Sequence, residues 1–136
     1  FLPLAIGQLR DFQVKMHLYT LPDHDLYPTF GMVLTRGIDG IVFVLDSTVG
    51  ALQDNIDAWL RFKDILTQEG YNFSAIPRVL QYNKRDHEQA IPLDLLRQEF
   101  NPNGLAELEA IATQHLGTLE TVQKISSLVL DELGKT

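Results

Sequence analysis

The chain of 136 residues contains no cysteine. That excludes a disulfide framework, thiolate nucleophiles and thiolate metal sites, and it fits a reducing compartment. Also missing is any apolar run near the roughly 20 residues that a membrane-spanning helix needs. The opening stretch, Phe1 to Ile6, has neither the basic flank nor the length of a signal peptide. The expected location is the cytoplasm, with no integral membrane segment. Basic charge is scarce: the formal net charge is −7 and the pI about 4.9. A general nucleic-acid or anionic-membrane surface is therefore disfavoured. There is no internal repeat, linker or low-complexity tract. His17, His24, His87 and His115 show no metal-ligand spacing with carboxylates, and Ser126-Ser127 lacks the strand-turn-helix setting of a nucleophile elbow.

What is present is one domain's worth of chain, with 45% hydrophobic residues, enough for a single sizeable core over 1–136. Phe1 to Ile6 reads as a strand, with Pro3 favouring an edge. Gly7 to Asp11 reads as a turn. Phe12 to Tyr19 alternates, with Phe12, Val14, Met16 and Leu18 on one side and Gln13, Lys15, His17 and Tyr19 on the other. Two such runs predict an antiparallel hairpin. A polar loop, Thr20 to Asp25, and an irregular helix within 26–36 follow.

Gly40 to Leu45 is continuously apolar, as in a parallel strand covered on both faces. It ends in the polar residues Asp46-Ser47-Thr48. Residues 51–69 predict a helix with an apolar stripe at Leu52, Ile56, Trp59, Leu60, Phe62 or Lys63, and Leu66, stopped by Gly70. Trp59 reads as a packing anchor rather than a ligand platform. A strand over 78–82, a short helix over 92–99 opened by Pro92, a strand over roughly 107–112 and a helix over 119–133 capped by Thr118 complete the chain. Strands alternating with helices predict an α/β fold: a mainly parallel sheet, helices on both faces and one antiparallel edge hairpin.

The second strand of that rhythm runs straight into Asn83-Lys84-Arg85-Asp86. In open α/β sheets, ligands bind outside the carboxyl ends of the strands. A carboxylate there can accept two parallel hydrogen bonds, such as guanine offers along one edge. An Asn amide can donate to a ring nitrogen, and a Lys stem can lie flat on the base. A polar loop after a strand is the alternative reading of the same four residues.

Phe1-Leu2-Pro3-Leu4, His17-Leu18-Tyr19-Thr20, the run from Arg36 to Ser47 (Arg-Gly-Ile-Asp-Gly-Ile-Val-Phe-Val-Leu-Asp-Ser) and Asn83-Lys84-Arg85-Asp86 together carry a likeness over nearly the whole chain. The chain resembles the small Ras-like GTPases, and among them the bacterial gliding-motility MglA group. The resemblance implies that Asp86 holds the guanine edge, with Asn83 and Lys84 bracketing the base. It implies that the loop Ile111-Ala112-Thr113 supplies backbone N–H to the guanine oxygen, although ordinary strand packing explains Ala112 equally well. It further implies GTP or GDP as ligand with Mg²⁺, a role in polarity or motility, and regulatory partners that include a roadblock-type, MglB-like dimer.

Two departures stand against the resemblance. The phosphate-binding pattern Gly-x-x-x-x-Gly-Lys-Ser/Thr does not occur in these residues. The first switch is absent too; in the family both lie upstream of a run like Phe1–Leu4, so either residues before Phe1 are expected or another segment fills the place of the family's first strand. Residues before Phe1 would include that strand, whose slot falls between the hairpin and the strand at 40–45, and the Mg²⁺ ligands. The second departure is Thr20-Leu21-Pro22-Asp23-His24, where relatives carry Thr-Val-Pro-Gly-Gln. Asp23 places a carboxylate where a γ-phosphate would approach. His24 stands where the water-orienting Gln would be and is the candidate catalytic residue, with a solvated loop His as its plain alternative. Three functions follow: a guanine-nucleotide switch, a pseudo-GTPase kept as an interaction module, or a doubly wound domain without nucleotide.

Overall fold

The computed structural model describes residues 2–9, 12–21, 30–31, 33–34 and 36–135. β1 (Leu2–Leu9) and β2 (Phe12–Leu18) pair antiparallel, as the alternation predicts. β1 continues through Gly7 to Leu9, where the sequence suggested a turn, and a register shift between Ala5 and Gly7 absorbs the irregularity. Along β2, Val14, Met16 and Leu18 are half-buried while Gln13, Lys15 and His17 are exposed. Of the predicted helix within 26–36, residues 30, 31, 33 and 34 are helical, and Phe30 and Leu34 pack against Ile41, Phe62, Ile65 and Leu66.

β3 (Ile41–Asp46), β4 (Arg78–Asn83) and β5 (Ala106–Glu109) form a parallel sheet in the order β3-β4-β5. Between them run α1 (Leu52–Gln68) and α2 (Leu93–Phe100), and α3 (Thr118–Gly134) closes the chain. Among the described residues the hairpin is a separate sheet, and β3 is an edge with Val44 exposed. The hairpin reaches the rest through Met16, which packs against Val79, Ile125 and Val129.

Period-two alternation sorts the strand residues to opposite faces. Phe43, Leu45, Leu80 and Tyr82 meet Ile56, Trp59, Leu96 and Phe100 of α1 and α2. Val42, Val79, Ala106 and Leu108 meet Ile125 and Val129 of α3. Helices thus cover both faces of the sheet, and β3 reads as a continuous apolar run up to Asp46. Burying each of Leu45, Leu80 and Leu96 contributes about 1.5–3 kcal/mol. Trp59 is the packing anchor it was expected to be, edge-on to Phe43 at 4.7 Å and to Phe73 at 5.4 Å. Leu60, counted in the apolar stripe, is exposed. It lies one residue, about 100° of helix rotation, past Trp59.

Pro92 caps α2 instead of opening it, and three boundaries differ more consequentially from the sequence reading. The helix start at 51 is a 3₁₀ turn, Val49–Ala51, that leads into α1. The strand expected over 107–112 ends at Glu109, because its partner β4 ends at Asn83 and Lys84 turns away with φ 61. Ala110 N–H still donates to Tyr82 O at 2.8 Å, after which residues 112–114 make a single 3₁₀ turn closed by an Ile111–Leu116 bridge. Thr118 is the first residue of α3 rather than its cap; Gly117 occupies the cap position with φ 79.

A polar network fixes β5 to β4 and α2. Tyr82 Oη donates to Glu107 Oε2 at 2.9 Å, Asn101 Nδ2 donates to the same oxygen at 2.7 Å, and Arg97 Nε donates to Oε1. Burial pushes the Tyr82 hydroxyl up, and the adjacent Glu107 carboxylate adds to this. Burial works against ionisation of Glu107 as well, but the hydrogen bonds from Asn101, Tyr82 and Arg97 outweigh it and hold that carboxyl below its ordinary value. A depressed carboxyl contributes stability above its unfolded value and loses it as pH falls through the folded one. Wild type is therefore expected to be more stable than Glu107→Gln at pH 7. That advantage should shrink as pH drops below 4.5, the ordinary glutamate value. Parallel thermal melts of the two proteins between pH 7 and pH 3 check this; a constant difference would refute it.

Candidate functional site

The last paired residues of β3 and β4 are Asp46 and Asn83, side by side at the carboxyl ends of the strands. Beyond them the chain is zipped. Ser47 N–H donates to Asn83 O at 3.0 Å, Ile91 N–H to Ser47 O at 2.8 Å, and Val49 N–H to Gln89 O at 3.1 Å. The loop after β4 is thus braced by the loop after β3. From the other side Arg85 ties it to β5. Its N–H donates to Ala110 O at 3.2 Å, its Nε to Glu109 Oε1 at 3.2 Å, and its Nη1 to Ile91 O at 2.8 Å.

On this platform stand the sequence-predicted residues. Asn83 Oδ1 accepts the Ala112 N–H at 3.0 Å, so the tetrad and the loop 111–113 meet across 29 residues of chain. Asn83 Nδ2 is the end left to donate to a ring nitrogen. Lys84 Nζ donates to Asp46 Oδ2 at 2.7 Å. Asp86 is exposed in the turn that follows, and Ala112 and Thr113 are exposed in the 3₁₀ turn. The Ala112 N–H assigned to a guanine oxygen is already donated to Asn83, so a base oxygen there would share it in a three-centre bond. Asp23 and His24, the latter the candidate catalytic residue, lie outside the described residues.

Asp46 is the residue whose part was not read from the sequence. The signal was there, a polar Asp-Ser-Thr closing an apolar strand. Its Oδ1 accepts from Thr48 N–H at 3.0 Å and from Thr48 Oγ1 at 2.8 Å. Burial opposes its ionisation, but Lys84 and Thr48 together hold the carboxyl below its usual value. Beside it, Ser47 is fully buried, and its Oγ has no hydrogen-bond partner among the described residues. An unsatisfied buried hydroxyl costs about 1–3 kcal/mol. Ser47→Ala is expected to stabilise the protein by about 1 kcal/mol, read as a higher denaturant midpoint with an unchanged slope.

No protein-family model matches the chain. A curated protein does: the chain is 36% identical over 135 residues to the "Mutual gliding-motility protein MglA" of Myxococcus xanthus (strain DK1622). The match covers 99% of this chain and 69% of the length of that protein. The chain belongs to the MglA family of small GTPases. In this MglA-family chain the parallel sheet, the hairpin and the helices on both faces are the α/β architecture that the resemblance implied. Among its described residues no helix is long and apolar enough to cross a membrane. Nor is there a group of three or more His, Cys, Asp or Glu able to hold a metal ion.

Proposed function

We propose that this protein is a guanine-nucleotide-binding switch that signals to protein partners, and that residues 1–136 form a single domain carrying the base-reading half of its site. The observation that carries the proposal is the clustering of Asn83, Lys84, Asp86 and Ala112 at the carboxyl end of β4 in a chain 36% identical to an MglA. In this reading the Asp86 carboxylate accepts the paired N–H donors of guanine, Asn83 Nδ2 donates to a ring nitrogen, and the Lys84 stem lies against one face of the base. Ala112 and Thr113 close the edge from the neighbouring loop. These residues position and select a base; they make and break no bond.

The phosphates are the other half. GTP would be the nucleotide hydrolysed, to GDP and phosphate, with Mg²⁺ neutralising charge on its phosphates, and the pattern Gly-x-x-x-x-Gly-Lys-Ser/Thr that cradles phosphates is not found in these 136 residues. His24 is proposed to orient water on the γ-phosphate side. A role in motility is proposed because the relative is named a gliding-motility protein; a cytoplasmic location, a part in cell polarity and a roadblock-type, MglB-like regulator are proposed with it on the family resemblance alone.

The nucleotide content of the intact protein tests this. Denatured, freshly purified protein is expected to release GDP or GTP near one per chain. A preparation that releases none, and whose melting point GDP and GTP leave unmoved, would favour a pseudo-GTPase that keeps the fold as an interaction module.

A further inference from the structure

The ion pair between Lys84 and Asp46 is built from one side. The carboxylate is fixed: Thr48 occupies Oδ1 with both its N–H and its hydroxyl, leaving Oδ2 for Lys84. The Asp46 backbone is fixed too, since Asn55 Nδ2 donates to Asp46 O at 2.7 Å and Asn55 Oδ1 accepts from Asp46 N–H at 3.3 Å. On the other side, Lys84 has φ 61, an unfavourable conformation for a residue with a β-carbon. Its side chain is 54% exposed, and exposed ion pairs add little to stability. A strained lysine held in an ion pair of small stabilising value, beside Asn83, calls for a reason other than folding.

We propose that Asp46 is a positioning residue of the base site. It anchors the Lys84 ammonium so that the methylene stem is already laid across the plane where the purine stacks. The nucleotide then meets an ordered lysine instead of having to immobilise one on binding. Asp46 touches no ligand itself; it acts through Lys84. The inference rests on Lys84 bracketing the base.

The test measures dissociation of a fluorescent GDP analogue from the intact protein, for wild type, Asp46→Asn, Lys84→Met and the double variant. Asp46→Asn is expected to speed release by up to about tenfold, the cost of immobilising one long side chain on binding. The double variant should release no faster than Lys84→Met alone, because both changes remove the same positioning. The preference for GDP over IDP should stay as in wild type, since Asp86 is untouched. Asp46→Glu should recover part of the loss, and the melting point of the nucleotide-free protein should move by less than about 2 °C. Release from Asp46→Asn at the wild-type rate, while Lys84→Met releases fast, overturns this inference alone. So does full multiplication of the two effects. A wild-type protein that retains no analogue overturns both this inference and the base-reading assignment.

Discussion

Asp86→Asn is expected to weaken GDP binding to the intact protein by roughly 100-fold, because each hydrogen bond to a charged acceptor contributes about 1.5–3 kcal/mol. An ionised carboxylate only accepts, and guanine presents a ring N–H and a 2-amino group side by side. An amide in its place offers one acceptor and turns a donor toward a donor. The same logic sets two controls. IDP lacks the 2-amino group, so it should bind wild type more weakly than GDP and suffer less from the substitution. XDP carries an oxygen at that position, so the new amide donor should improve its binding. Asp86 is exposed, so the fold should change by less than about 0.5 kcal/mol. Titration calorimetry with the three diphosphates reads all of this. Unchanged GDP affinity would remove Asp86 from the site.

Gly117→Ala is expected to have the largest effect on stability, lowering the melting temperature by about 10 °C. Gly117 sits at φ 79, where a side chain costs about 1–2 kcal/mol. A β-carbon built there would lie 2.1 Å from Glu109 O and 2.9 Å from Ala110 Cα. Both are backbone atoms of the end of β5, which cannot swing aside as a long side chain would. Overpacking adds about 1–3 kcal/mol. The total, about 3 kcal/mol, translates to roughly 10 °C for a domain of this length. The strain would fall on the chain that carries Ala112 to Asn83, so nucleotide affinity should drop as well. A melting point within about 2 °C of wild type would show that the loop gives way easily.

Much of this architecture is legible in the residues. The unbroken apolar run at 41–45 identifies a parallel strand, although Val44 is exposed at the sheet edge, and the alternation of β2 identifies a strand half-exposed. Asn83-Lys84-Arg85-Asp86 marks the loop after β4 because polar residues follow an apolar run without a break. The end of β5 was not legible. Ile111 and Ala112 look like strand residues, and only the end of the partner strand decides that they leave the sheet. The cap of α3 was misread for a related reason. A Thr before an apolar periodicity is an ordinary cap signal, but the tight approach to Glu109 requires a residue without a β-carbon one position earlier. Asp46 escaped notice as a partner because its lysine lies 38 residues away, and no local pattern encodes such a pairing. Asp23 and His24 lie outside the described residues.

The most direct test is the selectivity of binding. GDP and ADP differ in the base and share the diphosphate, so only a base-reading site separates them. Calorimetric titration of the nucleotide-free intact protein is expected to give GDP binding at least about 100-fold tighter than ADP, the effect of matched against mismatched hydrogen bonds along one purine edge. Equal affinities for the two, or binding of neither, would contradict the assignment of Asn83, Lys84 and Asp86 as a guanine site.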